Sequence, residues 1–564
     1  MILIVQEIPA QSRRVPQIRI SNRRACRIAL LVAMLVFVVT YLRLTFALYD
    51  HFAYMTFDMG IFDQAVWLIS QGQTPFVTTR GLHILGDHFS VLLYLIAPLY
   101  RLSPSPKTLL TLQTIAMTLG VIPAYGLARK RLGREAYGLL FGLLYLLHPA
   151  HQWSITYQFH PDTFATPLLV TALYALEAKR WRLYAVSLLL TALTKESAGI
   201  AIACVGASAL LKRPVKDLKC GIGTIGFGVG MCVVSLYTVK YFNNGQSSPY
   251  FAIFRQYGST PALMLQYLMH RPLSFLANLL QPGNLFYLCL LLLPFCFLPL
   301  LAPKSILLAL PMLLINFMGQ RMGMHNIEEY YSAYITPFLW LGAVIGFGKM
   351  QHWGWFWRWT AQLNLPIWAL SGILLGPLPR PVDAIYAGQP PAVAWNECRK
   401  AITLVPPHCS VSMQMALGPH CSHRREIYTF PNPFVPIVYG GTRQALDEID
   451  ETTGAHLPNH VFSSAQTLKT PTNVEYIVLC PRSVTFPLSE QTYHQMVVGM
   501  LQNGNYETRY VGKYVMILQR TFPQKARLNL LALRTGRPTR TPKQIDVAYW
   551  RWLEAQYTPN GDTQ

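Results

Sequence analysis

Residues 28–48 read Ile-Ala-Leu-Leu-Val-Ala-Met-Leu-Val-Phe-Val-Val-Thr-Tyr-Leu-Arg-Leu-Thr-Phe-Ala-Leu, with Arg43 as the lone charge. A bilayer hydrocarbon core takes about 20 apolar residues in helical form, so this run is long enough to cross it. Arg13, Arg14, Arg19, Arg23, Arg24 and Arg27 precede it. The run is longer than the apolar stretch of a cleaved signal, and no small-residue cleavage site follows. It therefore predicts an uncleaved anchor, with residues 1–27 as a basic cytoplasmic N-terminus.

Working outward, further apolar runs occupy 108–128, 136–149, 163–178, 183–194, 197–211, 220–241, 285–301, 305–319, 331–348 and 361–376. The expected fold is mainly α, a polytopic transmembrane helix bundle of about 11 spans covering residues 28–376. Composition agrees. Hydrophobic residues make up 52% of the chain and charged residues only 13%, against about 25% charged in soluble domains.

The net charge of +22 raises nucleic acid as a partner, but its distribution argues against one. The cations sit in short clusters between apolar runs: Arg129-Lys130-Arg131, Lys179-Arg180-Arg182, Lys212-Arg213, Lys216 and Lys219. That is the pattern of cytoplasmic loops, not of a phosphate-binding groove. Keeping every cluster inside requires residues 91–102 to lie as a surface helix on the outer face, ended by Ser103-Pro104-Ser105-Pro106. The polar, non-basic connections 49–107, 149–162, 194–197, 242–284 and 320–330 then face outward.

A Pro-rich linker, Gly376-Pro-Leu-Pro-Arg-Pro381, leads into a soluble region. Tyr476–Cys480 and Tyr514–Leu518 read as strands and 490–502 as a helix, so 377–520 is expected to be a small extracytoplasmic α/β domain. Residues 521–564 form a basic tail, expected to be ordered only in part. Ten cysteines show no CxxC pair, which argues against a zinc ribbon. A disulfide among Cys398, Cys409, Cys421 and Cys480 stays open.

The outer connections hold most of the ionisable residues of the membrane region. Phe57-Asp58-Met-Gly-Ile-Phe-Asp63-Gln64-Ala-Val-Trp67 has the spacing of an amphipathic helix lying on the membrane surface. Asp58 there is either a general base or metal ligand, or a helix cap. Asp87 and His88, in Arg80-Gly-Leu-His-Ile-Leu-Gly-Asp87-His88, are candidate metal donors, and Arg80 can grip phosphate through two N–H groups. His160 and Asp162 end another outer loop. Lys195 lies at the tip of a helical hairpin, suited to a lipid phosphate. Arg321, His325 and Glu328 form a further cluster. Ionisable residues near membrane depth usually line a cavity, and five segments converging on one face suggest a site.

The order of these features resembles the multi-spanning C-type glycosyltransferases, which use polyprenyl-phosphate-linked sugars on the outer face of the membrane. The resemblance runs through the anchor, the early Asp58, the surface helix, the span ending Leu127-Ala-Arg-Lys-Arg-Leu-Gly133 and the Leu193-Thr-Lys195 hairpin. Phe57-Asp58-Met-Gly-Ile-Phe-Asp63-Gln64 and Gly86-Asp87-His88-Phe-Ser90 are similar to an uncharacterised prokaryotic family of predicted membrane proteins. The transferase resemblance covers about 28–350 and implies Asp58 as base or metal ligand, with Asp63 in reserve. It implies Lys195 near the lipid phosphate, joined by Arg80 or Arg321. A divalent ion, Mg or Mn, would draw on Asp87, His88, His160, Asp162, His325 or Glu328. The implied partners are a polyprenyl-phosphate sugar and membrane lipid, and the implied place is the inner membrane. The family's Pro-Pro-Leu is absent, since Phe89-Ser90-Val91 follows His88. A non-catalytic scaffold or sensor, and a transporter, are the alternatives. The transporter is disfavoured because the polar groups gather in outer loops rather than at the midplane.

Overall fold

The computed structural model describes residues 23–211, 217–245, 248–258, 261–354, 366, 367, 369–385, 389–434, 474–480, 483, 490–502 and 505–521. Most of the expected apolar runs are helical, but they differ in length. Arg23–Asp50, Pro106–Leu132 and Leu218–Phe242 are each long and apolar enough to cross a bilayer alone. Pro272–Leu279 and Pro282–Phe295 would do so as a pair bent by 49°. Glu135–Leu147, Trp181–Ala192, Ala198–Leu210 and Pro303–Met318 are apolar but shorter. Eleven full-length spans are therefore not what the helix lengths show. Residues 361–365 and 368 of the expected span 361–376, and the whole tail 522–564, lie outside the described residues.

Amphipathic logic is inverted in this bundle, as it is in lipid. Arg23–Asp50 exposes Ile28, Leu31, Val32, Leu35 and Val36, and Leu218–Phe242 exposes Ile222, Val229, Val233 and Val234. Thr336–His352, by contrast, is buried along nearly its whole length. With no hydrophobic force between helices in lipid, close packing must hold them, and small residues permit it. The pairing of Ala198–Leu210 with Leu218–Phe242 shows this. A Cβ on Gly199 would stand 2.4 Å from the Gly228 carbonyl oxygen, and one on Gly228 would stand 2.4 Å from that of Gly199. Gly206 and Gly221 repeat the approach one contact further along. Gly228→Leu should force the pair apart, costing at least about 1–3 kcal/mol by overpacking. A thermal unfolding midpoint equal to that of the wild type would refute this.

The last part of the chain forms a five-stranded sheet. Phe76–Val77 (β1) and Leu82–His83 (β2) are a separate small hairpin in the first loop. Val411–Met413 (β3), Ile427–Thr429 (β4), Tyr476–Leu479 (β5), Tyr506–Val511 (β6) and Met516–Arg520 (β7) pair in the order β4-β3-β5-β7-β6. β3 runs parallel to β4 and β5, while β7 is antiparallel to β5 and β6. Successive residues of a strand face opposite sides, and in β5 both sides are buried. Tyr476 and Val478 pack with Cys398 and Ala401 of the helix Trp395–Thr403. Ile477 and Leu479 pack with Tyr493 and Val497 of the helix Glu490–Gln502. The α/β expectation is met here, with the second strand two residues later than expected at its start.

A further feature differs from the sequence expectation. The helix Ile61–Ser70 does not lie on an open membrane surface, because Ile61, Phe62, Asp63, Gln64, Ala65, Val66, Leu68 and Ser70 are all buried. The reason is a cover that the local sequence does not reveal. Gln64 Nε2 donates to the carbonyls of Arg424 and Arg425 at 3.2 and 3.1 Å, and Thr78 Oγ1 donates to Ile427 O at 2.6 Å. The C-terminal domain also takes Phe52 into its own core, and His420 stacks on Tyr49 and packs at a tilt against Phe52, ring centroids 4.2 Å apart in each case.

Candidate active site

Asp58 ends the non-helical turn before Ile61–Ser70. Its φ of 70° and ψ of −84° lie in a region L-residues rarely occupy, at a cost of roughly 1–3 kcal/mol. Asp58 is not the cap of that helix, whose N-cap is Gly60. The turn is braced instead from two sides. Gln158 Oε1 accepts from Met55 N at 2.8 Å and Met59 N at 3.2 Å. Thr56 donates twice to Met415 O of the C-terminal domain, from N at 2.7 Å and Oγ1 at 2.8 Å.

The strained turn aims the Asp58 carboxylate at the segment ending the helix Pro149–Thr156. Oδ1 lies 3.2 Å from His160 Nε2, and Tyr157 OH donates to Oδ2 at 3.3 Å. His160 in turn stacks on Tyr330, centroids 3.7 Å apart. A buried glutamine fixes this segment. Gln113 Nε2 points at the carbonyls of Ser154 and Ile155 at 3.2 Å, while Oε1 accepts from His160 N at 2.9 Å. Burial alone would push the Asp58 carboxyl up. The fields of His160 and Arg321 overcome it and hold the group well below the usual carboxylate range. The Asp58 side chain nonetheless keeps 22% of its surface accessible.

Around it the other candidates form ion pairs. Arg80 grips Asp87 Oδ1 through Nε at 3.0 Å and Nη2 at 2.8 Å, and Tyr250 OH also donates to Asp87 at 3.2 Å. Lys195 Nζ is 3.1 Å from Asp162 Oδ1. His88 Nδ1 is 3.0 Å from Glu196 Oε1, and Phe89 N donates to Glu196 Oε2 at 3.1 Å. Burial works to raise the Glu196 carboxyl, but His88 and Lys195 bring it down to about 2. Pairing and hydrogen bonding are what make buried charges of this kind tolerable.

Arg321 is different. Half-buried, it makes no ion pair within 4 Å among the described residues. It lies over Tyr331, 5.8 Å from the ring centroid, and within the electrostatic reach of Asp58, Tyr157 and Tyr330. Of the three cations proposed for phosphate, Arg80 and Lys195 are already neutralised inside the protein, and Arg321 is the one whose charge is available.

Three other candidates lie apart from this cluster. His325 Nε2 sits 2.9 Å from Asn316 O, and Glu328 pairs with Arg380 at 2.6 Å. Asp63, wholly buried, accepts from Tyr100 OH and Ser422 Oγ at 2.5 Å each and lies 3.0 Å from His423 Nε2. It joins the first loop to the C-terminal domain. Among the described residues no three His, Cys, Asp or Glu side chains converge as a metal site, since Asp87, Asp162 and Glu196 each face a cation instead. Among the described residues these donors stand paired rather than gathered around a shared centre. Gln113, Tyr250 and His423 carry much of the architecture and were not singled out in the sequence. Only His423, in His420-Cys-Ser-His423-Arg-Arg, stood in a visibly polar stretch.

The family model described as "Predicted membrane protein (DUF2079)" matches residues 48–438, a span that holds both the Asp58 cluster and the Asp63 latch. The chain belongs to the DUF2079 family. No curated protein matches its sequence. Among solved structures, this DUF2079 protein is similar to one titled the crystal structure of ArnT from Cupriavidus metallidurans in the apo state. The identity is 13%, and the alignment covers 86% of this chain and 97% of that one with a TM-score of 0.50. At that identity the likeness shows a shared fold, reaching from the membrane bundle into the C-terminal domain.

Proposed function

We propose that this DUF2079 protein is a membrane glycosyltransferase that moves a sugar from a polyprenyl-phosphate donor to an acceptor hydroxyl on the outer face of the membrane. ArnT is a C-type polyprenyl-phosphate-sugar glycosyltransferase, so the shared fold supports the class without naming sugar or acceptor. The observation that carries the reading is local: an ionised, part-exposed Asp58 in the field of Arg321, which among the described residues has no carboxylate within 4 Å. One is suited to receive a proton, the other to receive phosphate charge.

In this mechanism the bond from the sugar C1 to the phosphate oxygen breaks, and its electron pair leaves with the lipid phosphate. Arg321 stabilises the charge that gathers there. The acceptor oxygen bonds C1 and its proton passes to Asp58. A carboxylate held this low is a weak base while His160 and Tyr157 both face it. An acceptor hydroxyl that displaces either one removes part of the field that lowers it, so binding prepares the base. The bundle of about 11 spans, with a cytoplasmic N-terminus and the C-terminal domain outside, belongs to the same proposal. The basic clusters at the helix ends favour it.

The test is turnover by purified protein across a panel of polyprenyl-phosphate sugars, with Arg321→Met beside wild type. Transfer by wild type, with the variant's kcat reduced about 10²–10³-fold, supports the assignment. No turnover with any donor would shift the weight to a scaffold or sensor centred on the C-terminal domain.

A further inference from the structure

The ends of the helices farthest from Asp58 hold a second polar site. Pro106–Leu132 begins near the first loop, where Lys107 pairs with Asp50 at 2.7 Å, and ends at the basic cluster Arg129-Lys130-Arg131. At the helical rise, its 27 residues carry that cluster roughly 40 Å away. There a cleft of about 430 Å³ lies between this helix end and the end of Ala165–Ala178. Arg129, Lys130 and Arg180 line it with Tyr174 and Glu135.

The charge balance in this cleft is uneven. Glu135 is already occupied, by Arg129 at 2.9 Å, Arg23 at 3.6 Å and the Tyr125 hydroxyl. Lys130 and Arg180 are exposed and have no carboxylate within 4 Å among the described residues. Arg180 is held over the Tyr174 ring, 5.7 Å from its centroid. Two cations free of acidic partners thus flank a polar cleft between helix ends.

Its depth points to the ligand. Trp181, next to Arg180, is 46% exposed, and exposed Trp beside Arg is the side-chain pattern of the membrane–water interface. Basic clefts between helices at that level take anionic lipid headgroups. We propose that this cleft binds the phosphate of an anionic phospholipid, with Lys130 and Arg180 as its ligands. The site is independent of the Asp58 chemistry and stands or falls separately from it.

The experiment uses the purified full chain and native mass spectrometry after incubation with equal amounts of phosphatidylglycerol and phosphatidylcholine. Wild type should retain phosphatidylglycerol preferentially. Removing both cations in Lys130→Ala/Arg180→Ala should lower that preference about 25-fold, roughly fivefold per cation. Lys130→Arg/Arg180→Lys should keep it. An unchanged thermal midpoint in the alanine variant shows that the fold is not the cause. Equal retention of both lipids by wild type overturns the proposal. So does displacement of phosphatidylglycerol by millimolar inorganic phosphate, which would make the cleft a site for free anions.

Discussion

Asp58→Asn should lower transfer by about 10²–10⁴-fold, the usual worth of a general base, while leaving the protein folded and donor binding within a few-fold of wild type. The amide keeps the side chain's shape and can still accept from Tyr157. It has no charge to meet His160 or Arg321 and cannot take up a proton. The loss should therefore fall on kcat, because the donor phosphate is held elsewhere. Full activity in the asparagine variant would remove Asp58 from the chemistry.

The pH dependence follows in the same direction. Asp58 acts ionised, so activity falls as pH drops through its pKa. With His160 and Arg321 holding that pKa below the usual carboxylate range, the wild-type acid limb should lie below it as well. His160→Gln removes the nearest lowering field and should move the limb to higher pH. A limb that stays in place would show that another group titrates there.

Asp63→Leu should be the most damaging single change to the docking of the C-terminal domain. Asp63 is wholly inaccessible and meets Tyr100, Ser422 and His423 at once. Removing one partner from a buried charged network costs about 3–5 kcal/mol, because the remaining groups lose their acceptor without regaining water. Hydrogen exchange should rise in residues 415–428 and in the turn 52–60, which share the Thr56–Met415 and Phe52 contacts. Since that turn carries Asp58, turnover should fall with it. Exchange unchanged in both segments would show that Asp63 is not the latch.

Much of the site could be read from local sequence. Arg80 and Asp87 are seven residues apart and pair within one loop. Lys195 lies in the short connection between Trp181–Ala192 and Ala198–Leu210, within the local stretch Leu193-Thr-Lys-Glu-Ser197. The helix at 490–502 matches its expected bounds, because its apolar positions repeat at helical spacing between polar ends. Span count was harder to read. Hydropathy marks an apolar run but not whether that run is lipid-facing, like Arg23–Asp50, or buried inside the bundle, like most of Thr336–His352.

By itself the sequence determined that the chain belongs in a membrane, that it ends in an α/β domain and that its ionisable groups collect in a few connections. These are properties of composition and short-range period, and neighbouring residues suffice to express them. Only the tertiary structure decided which charges are paired and which are free. It sets Asp63 against a serine 359 positions away and Asp58 against a tyrosine 99 positions away. It also buried the helix Ile61–Ser70 under a domain encoded more than three hundred residues later. Ion pairing and burial depend on distance in space, and no local pattern records which distant segment will arrive.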